Sequence, residues 1–178
     1  MANLLTAVRL ALTAPVTLEF AYNGLLSGWV LLLLIMLACV TDFFDGKVAR
    51  ATNTASAKGQ LFDHTTDFIF VTLGLTGCAI SGLINPYLPA LILIAFSQYV
   101  IDSYYLHKQK ELKMSFLGRW NGILYFGPLF FLATSKITLG EDFKELMELM
   151  GSIFAWTLSA STLLSIVDRS LAPLRNPN

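Results

Sequence analysis

Asp42-x-x-Asp45-Gly46-x-x-Ala49-Arg50, eight intervening residues, then Gly59-x-x-x-Asp63-x-x-x-Asp67 sets four carboxylates and a guanidinium between long apolar runs. Asp42 and Asp45 are three apart, and Asp63 and Asp67 four apart, so on two helices each pair projects from one face, a turn apart. Thr52-Asn53-Thr54 favours a turn between the pairs, which returns the second helix antiparallel to the first and lets the acids converge. Converging carboxylates are hard oxygen ligands that suit magnesium, manganese or calcium; with only His64 and no cysteine in the stretch, they do not suit zinc. Two such cations about 4 Å apart clamp the attacking and leaving oxygens of phosphoryl chemistry. Gly46 and Gly59 clear side chains where a bulky group approaches a helix, and Arg50 offers a planar fork to phosphate oxygens. The residues by themselves point to divalent-metal phosphoryl transfer on an anionic, lipid-linked substrate.

The elements that must position them are read from composition. Of 178 residues, 55% are hydrophobic and 13% charged, and a mean hydropathy of +0.63 fits one integral membrane domain over 1–178. An ionised side chain at bilayer depth costs about 2.5–3.5 kcal/mol, so an acid cluster there marks a site that cations or water must meet. Apolar runs over 4–22, 25–46, 61–84, 86–106, 116–134 and 146–167 predict an all-α bundle of six transmembrane helices. Arg9 and Pro15 interrupt the first run, and Arg119, Gly127 and Pro128 the fifth. Six spans put both termini on one side, with ten of the twelve basic residues; only Lys136 and Lys144 fall opposite. The asymmetry predicts a multi-pass protein of the cytoplasmic (inner) membrane, with both termini and the active site facing the cytoplasm. The run after Met1 lacks a basic n-region and an early small-residue cleavage site, so it is read as mature chain rather than signal peptide. Cys39 and Cys78 fall inside spans and read as small buried apolar residues. The basic residues are dispersed without aromatic interleaving, which excludes a nucleic-acid groove.

The same eight positions and their gaps resemble the complete signature of the CDP-alcohol phosphatidyltransferase family. Asn3-Leu4-Leu5-Thr6 followed by Arg9 is similar to the segment that often opens these proteins. The resemblance implies an enzyme of phospholipid biosynthesis in which an alcohol acceptor displaces CMP from a CDP-linked lipid, without ATP. It implies that Asp42, Asp45, Asp63 and Asp67 ligate two Mg2+ or Mn2+ ions, that Asp67 is also the base for the incoming hydroxyl, and that Gly46, Ala49, Arg50 and Gly59 lie against the cytidine diphosphate. It also implies a homodimer among membrane lipids, and Gly74, Gly77 and Gly82 are residues that permit close helix contact. Arg119 after Gly118 resembles a basic position used by some branches; with Lys108, Lys110 and Lys113 it could hold the phosphate of an acceptor such as glycerol 3-phosphate. For the lysines, ordinary positive-inside charge at lipid headgroups is an equal reading. Phe68 stands after Asp67 where the glycerophosphate and inositol-phosphate branches carry a basic residue, and His64 replaces a Pro or Ser. The acceptor therefore stays open, with inositol, serine and phosphatidylglycerol as alternatives.

Other polar residues have plainer readings. His64 points about 100° away from Asp63 on a helix and is expected to pack or hydrogen-bond. Asp102 ends the fourth span as a solvated acid or a partner for a basic residue, His107 is interfacial, and Glu19 and Asp168 need no special role. Trp29, Trp120, Trp156 and the Phe130-Phe131 pair suit lipid-facing surfaces. A divalent-cation transporter is the alternative from another class, but it requires polar groups across the bilayer, whereas Leu31 to Leu37 and Ile69 to Ile80 are almost wholly apolar. An aspartate-rich prenyltransferase would lack the Gly46, Ala49, Arg50 and Gly59 frame.

Overall fold

The computed structural model describes residues 2–51, 57–101 and 116–175, and every regular element within them is a helix. In chain order these are α1 (Ala2–Tyr22), α2 (Gly28–Ala51), α3 (Ala57–Ile80), α4 (Tyr87–Ile101), α5 (Phe116–Leu124), α6 (Phe126–Ser135) and α7 (Glu141–Arg175). Long apolar stretches that bond their own backbone account for the helices, and three short connections fold them back on one another. α1 lies against α3 and α2, while α7 lies against α6 and α4. Val16, Phe20, Leu31, Ile35, Leu75 and Leu129 form part of one continuous core.

The fifth expected helix is two helices. Pro128 has no N–H to give the carbonyl of Leu124, four residues back, so the ladder stops there and restarts at Phe126. Pro15 removes a bond in the same way, yet α1 runs through it, braced by α2 and α3. The turn after α3 shows why a glycine stands at 82. Gly82 has φ +77°; its N–H reaches the carbonyl of Ala79 at 3.1 Å, and Leu83 N–H reaches that of Cys78 at 3.0 Å, a helix-ending pattern that needs a left-handed residue.

Polarity is distributed inside out. Leu33, Trp29, Trp156 and Leu164 are more than half exposed, whereas Thr6, Arg9, Glu19, Asn121 and Thr162 are buried. A water-soluble domain of this size would hide such an apolar exterior, while several interior hydroxyls bond a carbonyl of their own helix, as Thr162 Oγ1 does that of Leu158 at 2.7 Å. Among the described residues, Glu141–Leu171 is the one stretch both long and apolar enough to cross a membrane unaided; Gly28–Phe44 and Tyr87–Ile101 are apolar but shorter.

Glu19 has a role that its position near a span end concealed. Its carboxylate, 2% exposed, accepts from the backbone N–H of Gly24 at 3.3 Å, of Leu25 at 2.7 Å and of Leu26 at 2.7 Å. Lys136 Nζ donates to Glu19 Oε1 at 3.0 Å, to the Glu19 carbonyl at 3.1 Å and to Asn23 Oδ1. The α1–α2 and α6–α7 connections are thereby latched together at one end of the bundle.

Gly74 and Gly77 serve packing inside the chain. A Cβ on Gly77 would lie 2.5 Å from the carbonyl oxygen of Thr17 in α1, and one on Gly74 3.2 Å from the Leu129 side chain in α6. The close contact expected of them is helix against helix within one protomer.

Candidate active site

Away from the latch, α2 and α3 bring Asp42, Asp63 and Asp67 together around one side chain. Asp42 comes from α2; Asp63 and Asp67, one turn apart, come from α3. Their side chains are 41%, 22% and 23% exposed, so the cluster is reachable but partly shielded. Asp45, Gly46, Ala49 and Arg50 continue the α2 backbone, and their side chains lie outside the described residues, as do Lys108, Lys110, Lys113, Asp102 and His107 altogether. Gly59 sits in the first turn of α3.

His64 departs from its expected orientation. One ligand atom from each of Asp63, His64 and Asp67 lies within 4.8 Å of the other two. A 100° step on a helix separates Cβ directions, but a long ring on a neighbouring position can still swing toward the same cleft. Oxygen donors from two helices, with an imidazole beside them, fit a divalent cation such as magnesium or manganese.

The central residue of the cluster is one that spacing did not single out. Arg9 of α1, fully buried, sends Nη1 to Oδ1 of Asp42 at 3.4 Å, to Oδ1 of Asp63 at 3.1 Å and to Oδ1 of Asp67. The signal for it was present: an arginine in an apolar segment that would bury it needs an acid partner.

The acids open on a cavity of about 580 Å³. Asp42, Asp63 and Asp67 line it, and so do Arg119 of α5 and Arg169 of α7. Arg119 is the residue that the sequence offers for an acceptor phosphate, whereas the sequence marks Arg169 only as one of the basic residues on the side of the termini. The Arg169 guanidinium lies over the Tyr99 ring, 5.3 Å from its centroid. Phe68, where a basic residue might stand, is part of the wall: its ring stacks on Phe96 of α4 with centroids 4.0 Å apart and planes 9° from parallel. Tyr125, which also lines the cavity, shares a buried hydrogen bond of 2.8 Å between its Oη and Thr162 Oγ1, which ties the break between α5 and α6 to α7.

Fold and site together define an all-helical protein with an inside-out polarity, whose acids and arginines share one cavity. The chain belongs to the CDP-alcohol phosphatidyltransferase family, whose model matches residues 1–166. It is 27% identical over 171 residues to the CDP-diacylglycerol--glycerol-3-phosphate 3-phosphatidyltransferase of Rickettsia bellii (strain RML369-C), covering 92% of this chain and 89% of that one. It is 31% identical over 123 residues to the protein of that name from Cereibacter sphaeroides, covering 66% of this chain and 56% of the relative. A cardiolipin synthase (CMP-forming) of Streptomyces coelicolor is 27% identical over 136 residues, covering 74% of this chain and 59% of its own length.

Proposed function

We propose that this protein transfers a phosphatidyl group from CDP-diacylglycerol to glycerol 3-phosphate, releasing CMP. The observation that carries the reading is one cavity lined both by Asp42, Asp63 and Asp67 and by Arg119 and Arg169. The acids suit a metal-chelating diphosphate, and the arginines suit the phosphate of an acceptor. That acceptor also accommodates Phe68, because Arg119 and Arg169 bring positive charge to the cavity that the residue after Asp67 does not. The names of the similar Rickettsia and Cereibacter proteins favour the same acceptor.

In this reading Asp42, Asp45, Asp63 and Asp67 would hold divalent ions, magnesium or manganese and two in number by family resemblance. Such ions, when bound, neutralise the diphosphate and make CMP a better leaving group. Asp67 takes the proton from the acceptor hydroxyl; the oxygen left behind forms a bond to the phosphatidyl phosphorus as the bond from that phosphorus to CMP breaks. Gly46, Ala49, Arg50 and Gly59 border the cytidine diphosphate. Arg119 and Arg169 orient the acceptor, with Lys108, Lys110 and Lys113 adding charge at the entrance. The exterior apolar side chains support a single membrane domain over 1–178 that crosses the bilayer six times, α5 and α6 together making one crossing, with the cavity opening to the cytoplasm. The proposed homodimer rests on family resemblance, since Gly74 and Gly77 are used within the chain.

The test is CMP release by the reconstituted protein from CDP-diacylglycerol with Mg2+ and glycerol 3-phosphate, inositol, inositol phosphate, serine or phosphatidylglycerol. Release only with glycerol 3-phosphate is expected. Release with another acceptor alone would reassign the headgroup, and no release with any would remove the transferase reading.

A further inference from the structure

Arg9 has an environment unlike that of any other basic residue described. It is fully buried, yet Nε and Nη2 have no hydrogen-bond partner among the described residues. Its contacts run through one nitrogen: Nη1 gathers a single oxygen, Oδ1, from each of three carboxylates on two helices, Asp42 at 3.4 Å, Asp63 at 3.1 Å and Asp67. Asp42, Asp63 and Asp67 line the cavity and Arg9 does not, so the guanidinium backs the cluster from the α1 side. Three carboxylates so close repel one another strongly in a shielded site, and one charge of opposite sign placed among them offsets much of that repulsion. A buried cation with two idle nitrogens is retained for its charge more than for its hydrogen bonds.

We propose that Arg9 is a built-in counter-cation, a positioning residue that holds Asp42, Asp63 and Asp67 together before a divalent ion binds and reduces the negative charge that ion then meets. This rests on the reading of the cluster as a divalent-ion site. Two consequences follow by linkage. The metal-free protein depends on Arg9 for stability more than the metal-bound protein does, because a bound ion takes over the neutralisation. Removing Arg9 therefore tightens ion binding, since it raises the free energy of the metal-free state more.

The experiment uses the whole protein in detergent micelles with Mn2+ alone, without nucleotide or acceptor. Thermal unfolding is followed in EDTA and in saturating Mn2+, and Mn2+ affinity is measured by calorimetry. Arg9→Met is expected to lower the Tm in EDTA, to lose much less in Mn2+, and to bind Mn2+ about tenfold tighter, well within the worth of a unit charge at this distance. Arg9→Lys, which keeps the charge, is expected to stay near wild type in all three measurements. An equal loss of Tm in both conditions, with Mn2+ affinity unchanged or weaker, would show that the side chain only packs. Should Arg9→Met fail to fold, Arg9→Met/Asp63→Asn removes an anion along with the cation and is expected to recover folding; failure to recover it overturns the proposal. Wild-type protein that neither binds Mn2+ nor gains Tm from it removes the ion-site reading and the role of Arg9 together. Wild-type binding with an Arg9→Met variant indistinguishable from it removes the role of Arg9 alone.

Discussion

Replacing Lys136 with methionine keeps the length of the side chain and removes its charge, leaving the buried Glu19 carboxylate without a cation. Breaking a buried ion pair from one side costs about 3–5 kcal/mol. Here the lower end applies, because three backbone N–H groups still serve Glu19 and the Lys136 side chain is 16% exposed to begin with. A loss of about 3 kcal/mol in a chain of this size shifts Tm by about 6–12 °C. Glu19→Gln is milder, at about 2 kcal/mol, since Lys136 keeps the Glu19 carbonyl and Asn23. The assay is thermal unfolding in detergent for both single variants and for Glu19→Gln/Lys136→Met, read as a double-mutant cycle. The double variant is expected to fall short of the summed losses by about 1.5 kcal/mol or more, because a carboxylate that is no longer charged does not miss its lysine. Full additivity, or a Tm shift under about 2 °C for Lys136→Met, would refute the latch. Turnover per folded molecule should not change, because Glu19 lies ten residues beyond Arg9 on α1 and so about 15 Å from the cluster.

Asp67→Asn should fold and still bind Mn2+ while losing about 10²–10⁴-fold in turnover, as expected for loss of a general base; near-normal turnover in single-turnover assays would exclude that role. Arg169→Ala should raise the KM for glycerol 3-phosphate about 10–100-fold, the worth of a charge-assisted hydrogen bond. The KM for CDP-diacylglycerol should move little, and equal changes in both would point to general damage. Gly77→Ala should destabilise the protein by about 1–3 kcal/mol through overpacking against Thr17 and Phe20, seen as a lower Tm with the oligomeric state in light scattering unchanged; a changed oligomeric state without loss of Tm would place Gly77 at a subunit interface instead.

Much of the architecture was legible from hydropathy. Helix positions for α1 to α4 agree with the apolar runs to within several residues, because a chain that must satisfy its backbone in an apolar setting has few options besides helix. Of the two runs that a proline interrupts, the fifth divides into α5 and α6 while the first stays one helix. Pro15 and Pro128 carry the same local defect, and neighbouring helices decide whether the backbone absorbs it. Glycine spacing was similarly ambiguous: Gly74 and Gly77 permit close approach, and only coordinates tell whether the approaching surface belongs to the same chain.

Residue type and interval alone were enough to put Asp63 and Asp67 on one face of α3, since a pair one turn apart shares a face whatever surrounds it. The fixed gaps carried the family as well, because eight residue types at set intervals seldom coincide by chance. Distances between elements remote in sequence were beyond such reasoning. Arg9 meets Asp63 across 54 residues and Asp67 across 58, Lys136 meets Glu19 across 117, and Arg169 lines the same cavity as Arg119, with α7 lying against α5. Local patterns specify which way a side chain leaves its own helix, but the partner it finds depends on how helices cross, and that is settled by packing over the whole bundle.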